Sequence, residues 1–126
     1  AGRGLLILGR SGSGKSGLVL QLMAFGAELV ADDRTRLLRR EDIVMAMSPE
    51  TIHGRVEARG VGILAAVAAE AVPLALVTDL DRMEKARLPE PRSHDVLGVA
   101  LPLLFRVDAP HFPAALLQWL KAGRIA

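Results

Sequence analysis

An α/β fold is predicted by three features of the sequence. The apolar run Leu5-Leu6-Ile7-Leu8 passes directly into the glycine-rich stretch Gly9-Arg10-Ser11-Gly12-Ser13-Gly14-Lys15-Ser16 and then into a helical pattern, giving the order strand, loop, helix. Several further short apolar runs are bounded by turn residues, as expected of strands buried on both faces. Apolar residues make up 51% of the chain and aromatics only 3%, so the core must be assembled from Leu, Val, Ile and Ala. A length of 126 residues fits a single domain, residues 1–126.

Each element has its own warrant. Gly4–Leu8 is short and continuously apolar, a buried first strand. Over residues 15–25, Leu18, Val19, Leu22 and Met23 share one helical stripe, and Gly26 stands where a left-handed cap is wanted. Residues 28–31 (Glu-Leu-Val-Ala) read as a second strand ending in Asp32-Asp33. Residues 34–40 and 43–47 flank Glu41-Asp42 and are expected to form a hairpin, with residues 48–51 a loop. Gly54, Gly60 and Gly62 imply bent backbone around a short strand at 56–58. The alanine-rich stretch 64–71 suits helix or strand equally and is ended by Pro73. Residues 74–78 read as a buried strand finishing at Asp79, and residues 81–95 as a polar loop with Pro89 and Pro91. Strands are expected at 96–101 and 103–107 around Pro102, and a last helix at 113–121, opened by Pro113 and closed by Gly123. The chain has no internal repeat and no low-complexity segment.

Composition narrows the function classes. With no cysteine, disulfides, thiolate metal sites and cysteine nucleophiles are excluded. Thirteen of the sixteen basic residues are arginine, but they are scattered and lack interleaved aromatics, and the net charge is only +2, so nucleic acid is not expected as a partner. Residues 61–78 approach the length of a membrane span, yet Glu70 and Pro73 interrupt them and alanine is weakly hydrophobic, so no membrane association is expected. No signal peptide precedes Gly9, in keeping with a cytoplasmic protein. Position 1 is not Met and a strand begins within a few residues of it, so the domain is expected to lack upstream residues.

The stretch 9–16 has the form GxxxxGK[ST] and carries a chemistry. Its glycines allow successive N–H groups to converge on phosphate oxygens, Lys15 reaches the outer phosphates, and the Ser16 hydroxyl can ligate Mg²⁺. The helix that follows points its positive end at the same anion. Gly9, Ser11, Gly12, Ser13, Gly14, Lys15 and Ser16 are therefore the expected nucleotide contacts. Phosphoryl transfer needs more: a second acid at the metal, and a residue that takes a proton from the attacking hydroxyl. Three acidic candidates compete. Asp32 and Asp33 end a strand and would raise one another's pKa, although a solvated turn explains them equally well. Asp79 closes an apolar run as a metal-binding aspartate would, or as an ordinary strand terminator would. Glu57 lies between two arginines in a glycine-rich stretch, where a surface salt bridge is the commoner outcome. His53 has no pattern that marks it as catalytic or metal-binding.

Three segments in this order and spacing resemble the catalytic domain of the HPr kinase/phosphorylase family, which acts on a serine of the phosphocarrier HPr. They are residues 9–16, Leu29-Val30-Ala31-Asp32-Asp33, and Val56-Glu57-Ala58-Arg59-Gly60-Val61-Gly62-Ile63, with Asp32 falling sixteen residues after Ser16. The resemblance implies a phosphoenolpyruvate carboxykinase-like P-loop fold with a sheet of mixed direction. It implies that Lys15 and Ser16 hold nucleotide phosphate and Mg²⁺, that Asp32 and Asp33 are the catalytic carboxylates with Asp33 the base, and that Glu57 assists the metal. On this ground Glu57 displaces Asp79. The family's catalytic histidine, shortly before the first strand, has no counterpart here, and the segment after its Glu-x-Arg-Gly element is replaced by Ala65-Ala66-Val67-Ala68-Ala69-Glu70-Ala71, which bears on dephosphorylation by phosphorolysis.

The resulting expectation is an Mg²⁺-ATP-dependent protein-serine kinase acting on HPr, homo-oligomeric and hexameric by resemblance. The arginines of residues 82–92 suit either an acidic edge of the partner or a solvated face. Two rivals are a P-loop kinase of a small metabolite and a non-catalytic ATP sensor.

Overall fold

The computed structural model describes residues 2–10, 12–30, 35–48, 54–66 and 71–125. In chain order the elements are β1 (Gly4–Leu8), α1 (Lys15–Ala24), β2 (Arg36–Arg40), β3 (Ile43–Met47), β4 (Arg55–Ala58), β5 (Gly62–Ala65), β6 (Val72–Met83), β7 (Arg92–Val96), β8 (Val99–Arg106) and α2 (Phe112–Ala122). Six strands form one sheet in the order β2-β3-β6-β8-β7, with β1 also paired to β6. β1 and β8 run parallel to β6, while β3 runs antiparallel to it and β7 antiparallel to β8. The mixed sheet that the resemblance implies is thus present. β4 and β5 form a separate antiparallel hairpin.

β6 is the spine, because two cores meet on its opposite faces. Leu76 and Leu80 join Leu18 and Leu22 of α1 and Phe112 and Leu116 of α2, whereas Leu74 and Val77 join Val44, Ala46, Val96 and Leu101. Leu74 and Leu76 would share a face in a regular strand. They do not, because the register slips: Gly4 faces Leu74 and the next residue, Leu5, faces Leu76, leaving Ala75 as the extra residue. Gly4 is needed at that slip, since a Cβ there would lie 2.9 Å from Val72 Cγ2 and 3.1 Å from the Pro73 carbonyl oxygen. The fully buried Thr78 keeps its hydroxyl satisfied by donating to the Leu104 carbonyl at 3.0 Å.

Helix α1 ends as the sequence indicates. Gly26 adopts φ 101°, its N–H donates to the Met23 carbonyl, and the Ala27 N–H donates to the Leu22 carbonyl, a complete Schellman closure. α2 carries proline in its first turn and closes at Gly123, whose N–H donates to the Trp119 carbonyl at 2.7 Å.

Several boundaries differ from the sequence reading. In place of a strand at 28–31, Leu29 makes a single bridge and Val30 a bend, with Ala31 outside the described residues. Pro73 lies within β6, opposite Met45 at the far end of the strand, so it ends nothing. The polar stretch 81–95 is not one loop: β6 runs on to Met83, and β7 begins at Arg92. Nor does Pro102 divide two strands, because β8 passes through it while the hairpin turn sits at Leu97-Gly98. β6 pairs with β8 only from Leu103 onward, so at Pro102 the strand has a neighbour on its β7 side alone and the missing N–H costs little. The ambiguous stretch 64–71 begins as strand, since Leu64 and Ala65 close β5, and residues 67–70 lie outside the described ones.

Candidate functional site

The loop from Gly9 to Ser16 joins β1 to α1. Three of its glycines have positive φ, Gly9 at 158°, Gly12 at 85° and Gly14 at 99°, and Gly14 caps α1 in the left-handed region. At Gly12 and Gly14 a side chain would be strained. At Gly9 the constraint is space: a Cβ would lie 2.4 Å from Ser13 Oγ, 3.0 Å from Ser13 Cβ and 3.3 Å from Leu80 Cβ. The Ser13 N–H donates to the Arg10 carbonyl at 2.9 Å, closing the bend between them.

A brace from β6 holds the loop's first limb. The Arg10 main-chain N–H donates to both carboxylate oxygens of Asp81, 3.1 Å from each, and Arg10 Nε lies 3.4 Å from Oδ1. Asp79, directly opposite Leu8 in the ladder, accepts the Asp81 N–H on its Oδ1 at 2.9 Å. Both carboxylates, which lie within β6, thus engage main chain. Sequence reading missed Asp81; the signal available was its spacing of two from Asp79, which puts both side chains on one face of a strand.

On one side of the loop lies a cavity of about 1210 Å³. Arg10, Gly12, Gly14, Lys15 and Ser16 line it, and so do Glu57 and Arg59 from the β4–β5 hairpin. β4 packs against α1 and buries Val56 and Ala58, while the alternation of the strand turns Glu57 to the other face. The structure therefore brings Glu57 into one cavity with Lys15 and Ser16, across more than forty residues of sequence. Asp32, Asp33 and Ser11 lie outside the described residues, as does His53. Val30 and Thr35, on either side of the aspartate pair in the chain, both line this cavity.

Opposite, between the loop, α1 and the connection from β8 to α2, is a second cavity of about 430 Å³. Ser13 Oγ and Arg106 Nε, both buried, make no hydrogen bond. Arg106 Nε lies 3.0 Å from Asp108 Oδ1, an ion pair by distance but outside hydrogen-bonding alignment.

Of the three arginines of residues 82–92, Arg92 is half-buried while Arg82 and Arg87 are exposed. The Arg82 and Arg92 guanidinium groups stand 5.5 and 4.3 Å from the centroid of the Phe105 ring, and Arg92 also pairs with the Glu84 carboxylate. Burial of Glu84 would by itself raise its pKa; the Ala86 N–H, the Arg92 guanidinium and the Lys85 N–H outweigh it and hold the carboxyl below its ordinary value of 4.5. This cluster ties the end of β6 to β7 and β8.

Among the described residues no helix is long and apolar enough to cross a membrane, and no three His, Cys, Asp or Glu residues are grouped as a metal site.

Strand, glycine loop and helix on a mixed sheet define an α/β domain whose functional surface surrounds residues 9–16. A family model described as HPr Serine kinase C-terminal domain matches residues 1–85, and the chain belongs to that family. The HPr kinase/phosphorylase of Acidovorax sp. (strain JS42) is 38% identical over 132 aligned positions, covering 93% of this chain and 42% of the relative. The HPr kinase/phosphorylase of Thermoanaerobacter sp. (strain X514) is 47% identical over 64 positions, half of this chain and 21% of the relative. The chain thus spans less than half the length of these curated relatives. The solved structure of the Hpr(Ser) kinase/phosphatase from Coxiella burnetii matches with a TM-score of 0.77 at 22% identity, covering 94% of this chain and 86% of that one, which establishes a shared fold.

Proposed function

We propose that this domain binds ATP with Mg²⁺ and transfers the γ-phosphoryl group to a serine of an HPr-like phosphocarrier. The observation that carries the reading is the single large cavity lined by Lys15 and Ser16 of the loop and by Glu57 of the hairpin. A loop with glycines at positive φ can turn its N–H groups toward phosphate oxygens, and Lys15 adds a cation. The donor set fits Mg²⁺. That ion needs one or two protein oxygens and completes its shell with phosphate and water, so the Ser16 hydroxyl and the Glu57 carboxylate suffice without an all-protein cage. The ion would supply charge neutralisation at the transferring phosphate.

In this reading Asp33 takes the proton of the serine hydroxyl as its oxygen attacks the γ-phosphorus, the bridging P–O bond to the β-phosphate breaks, and ADP departs. Asp32, beside it, favours proton uptake by repulsion between the two carboxylates. Support comes from the family's resemblance on these residues, and from Val30 and Thr35, which border the cavity on both sides of the pair. With inorganic phosphate as the attacking group, the bond from phosphorus to the serine oxygen would break, Asp33 would give its proton to that oxygen, and pyrophosphate would leave.

Incubation of the protein with γ-labelled ATP, Mg²⁺ and HPr should place label on serine, and Asp33→Asn should abolish labelling while ATP binding persists. Label on a small metabolite but not on HPr would refute the assignment. So would an Asp33→Asn protein that transfers label normally.

A further inference from the structure

We propose that Val61 and Ile63, at the tip of the β4–β5 hairpin, form an apolar docking rim for the residues that flank the acceptor serine of the protein substrate. The inference rests on the proposed function and adds to it the surface that selects the partner. Val61 is 75% and Ile63 73% exposed, so neither belongs to the core. With Leu64 they place three exposed large apolar residues within four consecutive positions, and no two others among the described residues lie so close in sequence. Single exposed apolar residues are ordinary, whereas a contiguous group marks a contact surface.

The register of the hairpin sets where they stand. Val56 and Ala58 are buried where β4 packs on α1, and Glu57 takes the opposite face with Ile63 directly across from it in the ladder. Side chains paired in this way have Cβ atoms about 4.5–5.5 Å apart, so Ile63 adjoins the carboxylate proposed to hold the metal. Val61 closes the turn, its N–H donating to the Ala58 carbonyl at 2.9 Å, and lines the large cavity beside Arg59. A residue that lines a cavity and is three-quarters exposed stands where that cavity opens to solvent.

The occupant follows from this position. The serine oxygen must reach the γ-phosphate inside the cavity, and successive Cα atoms are about 3.8 Å apart, so side chains one or two residues from the serine arrive at the mouth. Aliphatic groups there favour apolar flanking residues, because contact removes both from water. A small metabolite has no flanking residues and leaves Val61 and Ile63 wet. A second copy of the chain seated permanently on them would obstruct the mouth that the acceptor must enter. The rim therefore fits an occupant that arrives and leaves with the serine, a protein whose serine stands among apolar side chains.

Steady-state phosphorylation of HPr with Mg²⁺-ATP gives the test, with Val61→Ser and Ile63→Ser combined in one protein. Both positions are exposed, so the melting temperature should be unchanged and the calorimetric ATP affinity should stay within about twofold. KM for HPr should rise at least about tenfold while kcat at saturating HPr stays within about threefold. Val61→Ile with Ile63→Val keeps the aliphatic surface and should keep the KM of the unmodified protein. HPr carrying asparagine on both sides of its serine should show a raised KM with the unmodified protein, and no further rise beyond about twofold with the double serine variant. An unaltered KM in that variant would overturn the docking rim and leave the kinase reading standing. A lower kcat at unaltered KM would do the same, assigning the pair to the placement of Glu57. A raised KM accompanied by a change in molecular mass, read by sedimentation, would overturn it in favour of a contact between copies. Absence of label on HPr with the unmodified protein would overturn the kinase reading and the rim together.

Discussion

Replacing Asp81 separates the mechanical role of its carboxylate from its charge. The carboxylate accepts the Arg10 N–H on both oxygens at 3.1 Å and the Arg10 Nε at 3.4 Å. The side-chain pair is mostly in water, with Arg10 86% and Asp81 31% exposed, so it contributes at most about 0–1 kcal/mol. The main-chain bond to an ionised acceptor is of the kind worth about 1.5–3 kcal/mol when shielded, and partial exposure reduces it to about 1 kcal/mol. Asp81→Ala should therefore cost about 1 kcal/mol of stability and release the limb formed by Gly9 and Arg10. If the released limb occupies its binding conformation only about a tenth of the time, ATP affinity falls about tenfold. Electrostatics alone has the opposite sign, because loss of a negative charge near a polyphosphate favours binding. Asp81→Asn keeps an oxygen for the Arg10 N–H and removes the charge, so it should bind ATP as well as or better than the unmodified protein. Arg10→Ala keeps the main-chain donor and should change affinity by no more than about twofold. Titration of ATP together with hydrogen exchange at the Arg10 amide reads both effects. An Asp81→Ala protein with unaltered affinity and unaltered Arg10 protection would refute the brace.

Three other outcomes follow from the packing and the charge network. Leu116 is fully buried where α2 meets β6 and α1, so Leu116→Ala should destabilise the fold by about 2–5 kcal/mol in denaturant unfolding. Gly9→Ala should cost about 1–3 kcal/mol by overpacking against Ser13 and Leu80, and should weaken ATP binding because the loop must shift; unaltered values of both would contradict the close approach. Glu84 is held below 4.5, so the folded protein takes up this proton less readily than the unfolded chain, and the stabilisation is present above pH 4.5 and lost as pH falls through the lowered value. The stability difference between the unmodified protein and Glu84→Gln should accordingly shrink on acidification from pH 5, as measured by urea unfolding at a series of pH values.

Local signals were legible wherever one short stretch determined the outcome. The order of β1, loop and α1, the Gly26 closure, the hairpin around Glu41-Asp42 and the start of α2 were all readable, because each depends on apolar spacing, a proline or a left-handed position. What failed depended on neighbours. Residues 81–95 are polar enough to read as a loop, yet part of them is strand because β8 pairs with both β6 and β7 and because Arg92 stacks on Phe105. Pro73 and Pro102 read as breaks, but each sits where the ladder is incomplete. The same limit applied to the site. Residues 9–16 stand out by motif alone, the expectation of Glu57 in place of Asp79 rests on family resemblance and not spacing, and Asp81 is found only once β6 is seen to run beside the loop.

The engagement of Asp79 and Asp81 within β6 bears on the proposal that Glu57, and not Asp79, would hold the metal. Acids beside an anion cradle oppose phosphate unless their charge is engaged. Asp79 accepts the Asp81 N–H and Asp81 accepts the Arg10 N–H, so each stabilises main chain at the mouth of the loop. Glu57 reaches the cavity from a hairpin outside the main sheet, which is held there by the packing of β4 on α1. The loop and this carboxylate are thus carried by different layers with α1 as their common support. A change in how the hairpin seats on α1 alters the separation of Glu57 from Lys15 and Ser16 without disturbing the six-stranded sheet. In the proposed function, seating of the hairpin on α1 would then set metal affinity independently of the sheet that holds the loop.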